Sequence, residues 1–229
     1  MSLLETESIW NIRKMNKIIL LKKALMSVAG IFVMAQGVSI FLMLGVGVDP
    51  ISVFLDGMSL RLGISFGSAQ TLLNIIMIVI SLIFFRDNIG VSTVLALFFL
   101  GPFFDLIIFL EQNMIHPQLA LGMKGFLTVI GQLFFSLGVA LYLSSSMGGS
   151  PCDTPGVAIA MKKGWRYGTV RLVTDFLYFL FGFLLGGTVG FGTVCCVLCT
   201  GPVSQLFLPA CNRLSKRISR SPAPRNNRR

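Results

Sequence analysis

Arg171 and Asp175 stand four residues apart inside a long apolar run, a spacing that puts both on one face of a helix. An ionisable side chain at the centre of a bilayer costs about 2.5–3.5 kcal/mol or more unless it is paired. The two residues either neutralise each other or belong to a larger polar site. Gln70 and Asn74 repeat the same four-residue step in another apolar run, Asp105 follows Gly101-Pro102, and Gln205 follows Gly201-Pro202. These six are the candidate solute-binding set. Asp105 and Asp175 suit proton or cation coupling, Arg171 an anionic group of the solute, and Gln70 and Asn74 hydrogen bonding. The plainer alternative for Asp105 is a protonated carboxyl, or one bonded to a backbone group freed by Pro102.

A second set lies where the apolar runs are interrupted. Asp49-Pro50 and Pro151-Cys152-Asp153 each precede a short apolar segment, the first containing Asp56 and ending at Arg61, the second ending at Lys162-Lys163. If these segments are half-helices dipping into a bilayer, their N-terminal N–H groups and dipoles could hold an anion. If they lie flat at the interface, they are connectors. Cys195, Cys196 and Cys199 form a Cys-Cys-x-x-Cys run, with Cys152 and Cys211 apart; thiols packed between helices are the expectation, and no metal site. His116 is the single histidine, which excludes a His-based metal site or a Ser-His-Asp triad within this chain. Gly45-x-Gly47 follows no strand, and no phosphate loop, His-Glu-x-x-His or Gly-x-Ser-x-Gly occurs. Asp105 and Asp175 lack the context of an intramembrane aspartyl protease. Neither an enzyme nor a cofactor is expected.

The elements that position these residues follow from composition. Apolar residues make up 54% of 229 and charged ones 12%, with a mean hydropathy of +0.82, against about a quarter charged in soluble domains. Half of the charges lie before residue 24 or after residue 212. Runs long enough to cross a membrane fall near 24–46, 67–85, 91–111, 121–145, 168–187 and 190–211. The expected fold is an all-α membrane protein with six transmembrane helices. Residues 1–23 form a basic cytoplasmic segment, 24–211 one transmembrane domain, and 212–229 a basic disordered tail. The long polar leader and the absence of an A-x-A site point to an uncleaved first span. The net charge of +10 is gathered at the ends of a membrane domain, so anionic lipids rather than nucleic acid are the partners it suggests.

An internal duplication organises the spans. A shift of 101 residues matches Gly30 with Gly131, Gly37 with Gly138, Gly47 with Gly148, Pro50 with Pro151, Gly63 with Gly164 and Gly67 with Gly168. At a shift of 100, Gly90 meets Gly190, Thr93 meets Thr193, and Gly101-Pro102 meets Gly201-Pro202. Each repeat, about 28–110 and 129–209, holds three spans, and an odd number mounts the second copy upside down. With both termini inside, sixteen of the 19 basic residues are cytoplasmic and only Arg61 and Lys124 are external, a strong positive-inside bias. The repeats are therefore expected to be inverted, each with a short proline-initiated helix that is re-entrant or interfacial.

In Gly47 to Pro50 and Gly148 to Pro151, in the steps Gly63 to Gly67 and Gly164 to Gly168, and in the later Gly-Pro pairs, the chain resembles the YczE/YyaS/YitT group of bacterial integral membrane proteins. Pro151-Cys152-Asp153 is similar to that group's Pro-x-Asp, and Pro50-Ile51-Ser52 departs from it by lacking the acid. The resemblance covers nearly the whole apolar domain. It implies a multi-pass protein of the bacterial plasma membrane, loosely permease-like, and brings no substrate or catalytic residue with it. Residues and resemblance together lead to a small-solute permease working by alternating access between two inverted repeats, with proton or cation coupling. Two alternatives remain: a non-transporting regulatory or scaffold protein for a biosynthetic or envelope complex, and a substrate-binding membrane subunit of a larger transporter. Gly-rich faces such as Gly182-x-x-x-Gly186 allow close helix contact or a homodimer.

Overall fold

The computed structural model describes residues 17–84, 90–112, 119–165 and 167–219. The leader with Arg13 and Lys14, then Arg86, His116, Arg166 and the tail from Arg220 lie outside the described residues. Eight α-helices and no strand occur among the described residues: α1 (Lys17–Leu44), α2 (Pro50–Leu62), α3 (Phe66–Phe84), α4 (Val91–Glu111), α5 (Leu121–Ser144), α6 (Thr154–Lys163), α7 (Tyr167–Leu185) and α8 (Phe191–Ser219). All but α2 and α6 are long and apolar enough to span a bilayer, so the six expected spans are present and the chain is a multi-pass membrane protein. Large apolar side chains such as Leu121, Leu206 and Phe191 stand on the outer surface, where lipid tails suit them.

Local chemistry sets the short helices. The Asp49 carboxylate accepts from Ser52 N at 3.4 Å and Pro50 opens α2, where a missing N–H costs nothing. Gly63 ends α2 at φ 65° and Gly164 ends α6 at φ 67°, left-handed positions that a Cβ would strain. Three boundaries differ from the sequence reading. Pro151 lies in a turn rather than at a helix start, and α6 begins at Thr154-Pro155. Lys17 to Lys23 already belong to α1. At the other end α8 runs to Ser219, so residues 212–219 are helical rather than a disordered tail. Cys211, packed with Met26 and Ala140 and flanked by Ile218, holds that extension against α1 and α5.

Helix α1 is the hub, packing on α5, α4 and α8, while α2 packs mainly on α7. The α1–α5 crossing is made by glycines. A Cβ on Gly37 would stand 2.5 Å from Phe135 N, and one on Gly138 would stand 2.3 Å from Met34 N. Gly30 meets Gly138 and Tyr142, whereas Gly37 meets Gly131 and Phe135, so the two helices run antiparallel. Backbones this close gain dispersion and weak C–H···O contacts that lipid cannot replace. The loops that follow are tied crosswise. Gly192 N donates to Val46 O at 2.7 Å, and Ser92 N donates to Met147 O at 3.1 Å.

One contact is not matched. On α3 and α4, Gly67 and Gly101 touch so closely that a Cβ on Gly67 would lie 2.1 Å from Gly101 O. Around the corresponding Gly168 and Gly201, on α7 and α8, such a Cβ would meet nothing within 4 Å. Instead α7 turns to α2, where Gly182 and Gly187 abut Val53, Phe54 and Gly57.

Candidate functional site

The site is built from the loop before α6 and the facing sides of α3 and α7. Arg171 donates through Nη1 to Asp153 Oδ1 and through Nε to Asp175 Oδ2, the latter at 2.9 Å. The spacing of four on α7 aims Arg171 and Asp175 together, and the loop delivers Asp153 from the other side. Asp153 occupies the N-cap of α6 yet makes no side-chain cap bond there. Arg171 thus meets two carboxylates, an arrangement that offsets the desolvation of all three groups.

Cys152 joins this pair to α3. Gln70 Nε2 donates to Asn74 Oδ1 at 2.9 Å, Asn74 Nδ2 donates to Ala96 O at 3.4 Å, and the Cys152 thiol donates to Asn74 Oδ1 at 3.6 Å. Gln70, Asn74 and Cys152 are all buried. Burial, and after it the charge of Asp153, push the Cys152 thiol up to about 12, so it stays protonated at neutral pH and acts as a weak donor. Asp49, half-buried at the start of α2, feels the Arg171 charge, but burial dominates and raises its carboxyl above the ordinary range. A carboxyl raised in the folded state stabilises the fold below its unfolded pKa of about 4, and that contribution is lost as pH climbs through the folded value. Asp49→Asn, neutral and still able to cap, is therefore expected to melt above the parent at pH 7, with the gap closing toward about pH 4. A gap unchanged with pH would refute this.

Gln70, Asn74 and Cys152 thus form one hydrogen-bonded cluster and Arg171, Asp153 and Asp175 a second, adjoining where Cys152 and Asp153 are consecutive in the chain, with Pro151 beside them and Asp49 within reach of the Arg171 charge. Asp105 and Gln205 do not join. Asp105 binds the start of α3, accepting from Ser65 Oγ at 2.6 Å and from Gly67 N at 2.8 Å. It edges a shallow groove with Thr71, Leu72 and Pro102. Gln205 is exposed on α8. Asp56, at the α2–α7 contact, accepts from Thr188 N at 2.7 Å.

Other polar groups escaped the sequence reading. Ser27, Ser92 and Ser145 are mutually hydrogen bonded at 2.6–3.1 Å and fully buried where α1, α4 and the end of α5 meet. Gln132 donates to Ser136 and Thr200, both at 3.0 Å, across α5 and α8. Glu111 accepts from Gln36 between α4 and α1. Tyr178 OH reaches Met77 Sδ at 3.7 Å, and these two residues are 101 apart, the period of the duplication.

Comparison with known proteins gives relatives without an assigned activity. A family model described as a family of unknown function, DUF6198, matches residues 21–209. The chain is 26% identical over 184 residues to the uncharacterized protein YyaS of Bacillus subtilis (strain 168), covering 80% of this chain and 91% of that one. It is 29% identical over 183 residues to an uncharacterized protein of Haemophilus influenzae, covering 80% and 81%. With the uncharacterized membrane protein YczE of Bacillus subtilis it shares 25% identity over 183 residues, covering 79% and 83%. No solved structure matches.

Proposed function

We propose a function from one premise: the chain belongs to DUF6198, a family of unknown function. It is a small-solute permease of the bacterial plasma membrane, with its termini inside and two inverted three-span halves that rock about the α1–α5 crossing. Supporting the inversion are the antiparallel glycine contacts of α1 and α5 and the crosswise loop bonds. In inverted-repeat transporters the solute site lies at the repeat interface beside broken helices. Here Asp49 and Asp153 mark the starts of α2 and α6, which the re-entrant reading carries into the bilayer.

One observation carries this reading: Gln70 and Asn74 of the first half bond Cys152 of the second, whose chain neighbour Asp153 is held with Asp175 on Arg171, so polar clusters from both halves adjoin. With two carboxylates against one guanidinium, the cluster is formally negative and disfavours an anion. A neutral or cationic solute, or a coupled proton, suits the site better than the anionic solute expected from the sequence. The unequal halves, closed between α3 and α4 and open between α7 and α8, resemble one end state of such a rocking motion.

The test is reconstitution in liposomes carrying a trapped pH-sensitive dye and an imposed potential. A panel of small neutral and amine solutes is expected to drive proton movement in the parent and not in Asp175→Asn. Deletion of residues 220–229 together with Arg213→Gln, Lys216→Gln and Arg217→Gln, which keeps α8 whole, is expected to leave it intact. Arg213, Lys216 and Arg217 are exposed on the end of α8, which favours contact with anionic lipid at about 1 kcal/mol per residue. Solute-independent behaviour of every variant, with a cellular phenotype that needs only the basic tail, would support the scaffold reading instead.

A further inference from the structure

Asn74 and Asp175 hold the same place in the two repeats, and only Asn74 has bonds at both ends of its side chain. Its Oδ1 accepts from Gln70 Nε2 at 2.9 Å, and its Nδ2 donates to Ala96 O at 3.4 Å. The second bond ties α3 to α4, the pair that Gly67 and Gly101 bring together. Asp175 copies the first bond: Arg171 Nε, in the place of Gln70, donates to its Oδ2 at 2.9 Å. Its Oδ1, in the place of Asn74 Nδ2, is shut off from solvent and makes no hydrogen bond. The counterpart of Ala96 is Cys196 on α8, and α7 and α8 stand apart at Gly168 and Gly201. An ionised carboxylate has no hydrogen to give, so it cannot make the bond that the asparagine makes, whereas a protonated one can.

We propose that Asp175 is a proton-gated latch between α7 and α8. With a proton on Oδ1 it donates to Cys196 O as Asn74 donates to Ala96 O, and Gly168 closes on Gly201. A helix carbonyl accepts this extra bond through its second lone pair. Gln205, exposed on α8, then accepts from Gly168 N as its counterpart Asp105 accepts from Gly67 N at 2.8 Å. The far end of α7 stays on α2, where Asp56 accepts from Thr188 N and Gly182 abuts Phe54. One proton is bound on closing and released on opening, while Arg171 keeps Oδ2 and Asp153. The latch rests on the permease reading, to which it adds the state that carries the proton.

The charged groups acting on Asp175 are Arg171 on its own helix, Asp153 from the loop before α6 and Asp49 from the start of α2. The other ionisable groups of the helices packed on α7 lie farther off: Asp56 and Arg61 at the outer end of the α2 contact, and Lys162 and Lys163 at the far end of α6. Tyr178, next along α7, bonds Met77 Sδ. On the α8 side Cys195, Cys196 and Cys199 are thiols.

Spin labels on Thr169→Cys and Gln205→Cys test this by double electron–electron resonance. The sample is the full-length chain with its five native cysteines replaced, in lipid nanodiscs without solute; the acceptor at position 196 is a backbone oxygen and survives the replacement. The counterparts Ser68 and Asp105 both bond Ser65 Oγ, so the labels approach each other when α7 closes. The parent is expected to show a short distance beside a long one. The short-to-long ratio should fall about tenfold per pH unit above its midpoint, as one bound proton requires. Asp175→Asn should keep the short distance at every pH, because its amide donates without a proton. Ratios that respond alike to pH in the parent and in Asp175→Asn would overturn the latch. So would a short distance with Gln205→Cys labelled alone, which would place the contact between two copies. With no solute present, the latch holds or fails independently of whether liposomes show transport.

Discussion

Replacing Arg171 with leucine is expected to destabilise the protein by about 2–4 kcal/mol, because it strands Asp153 and Asp175 without their cation. The figure is set below that for a wholly buried pair since the Arg171 side chain keeps 36% of its surface open. Arg171→Lys should recover part of the loss, as a point charge cannot serve two carboxylates with the fixed fork of a guanidinium. The decisive comparison is the triple change Arg171→Leu, Asp153→Asn and Asp175→Asn, which removes both stranded charges and should restore most of the stability. Melting temperatures of detergent-purified protein measure all three. If Arg171→Leu alone melts with the parent, the ion pairs do not hold the loop before α6 against α7.

The second large effect is a contrast between equivalent positions. Gly67→Ala pushes a methyl to within 2.1 Å of Gly101 O and 2.6 Å of the Asp105 carboxyl. The neighbours are a backbone oxygen and a bonded carboxyl, and neither can yield. Separation of α3 from α4 is expected to cost about 1–3 kcal/mol or more. Gly168→Ala meets nothing within 4 Å, and alanine gains up to about 1 kcal/mol over glycine in a helix. The two variants should therefore differ by about 2–4 kcal/mol in a matched denaturation assay, although their residues occupy the same place in the duplication. Equal destabilisation would mean that α7 and α8 close on each other as α3 and α4 do.

That contrast also explains what the sequence could and could not reveal. The six spans were legible because apolar runs of bilayer length leave few other folds. The pairing of Gln70 with Asn74 and of Arg171 with Asp175 was legible because a four-residue step recurs at matching places in the duplicated sequence. The same logic misplaced Asp105 and Gln205. Their equivalence holds along the chain, but α4 packs on α3 and α8 does not pack in the same way on α7, so one side chain caps a helix and the other stands exposed. Cys152 reads as an isolated thiol until the turn at Pro151 brings it to Asn74. Glu111 carries no such signal. It ends an apolar run as any interfacial acid would, its partners lie some 75 residues away, and the second repeat has Cys211 at that place.

Opposite mounting of the two halves is the claim on which the permease reading depends, and single-cysteine labelling tests it most directly. Arg61 at the end of α2 and Lys163 at the end of α6 are both exposed and lie at matching ends of the two short helices. In a background with the five native cysteines replaced, Arg61→Cys should react with an impermeant maleimide added to intact cells. Lys163→Cys should react only after the cytoplasmic face is opened. Labelling of both residues from the same side would contradict the inverted arrangement.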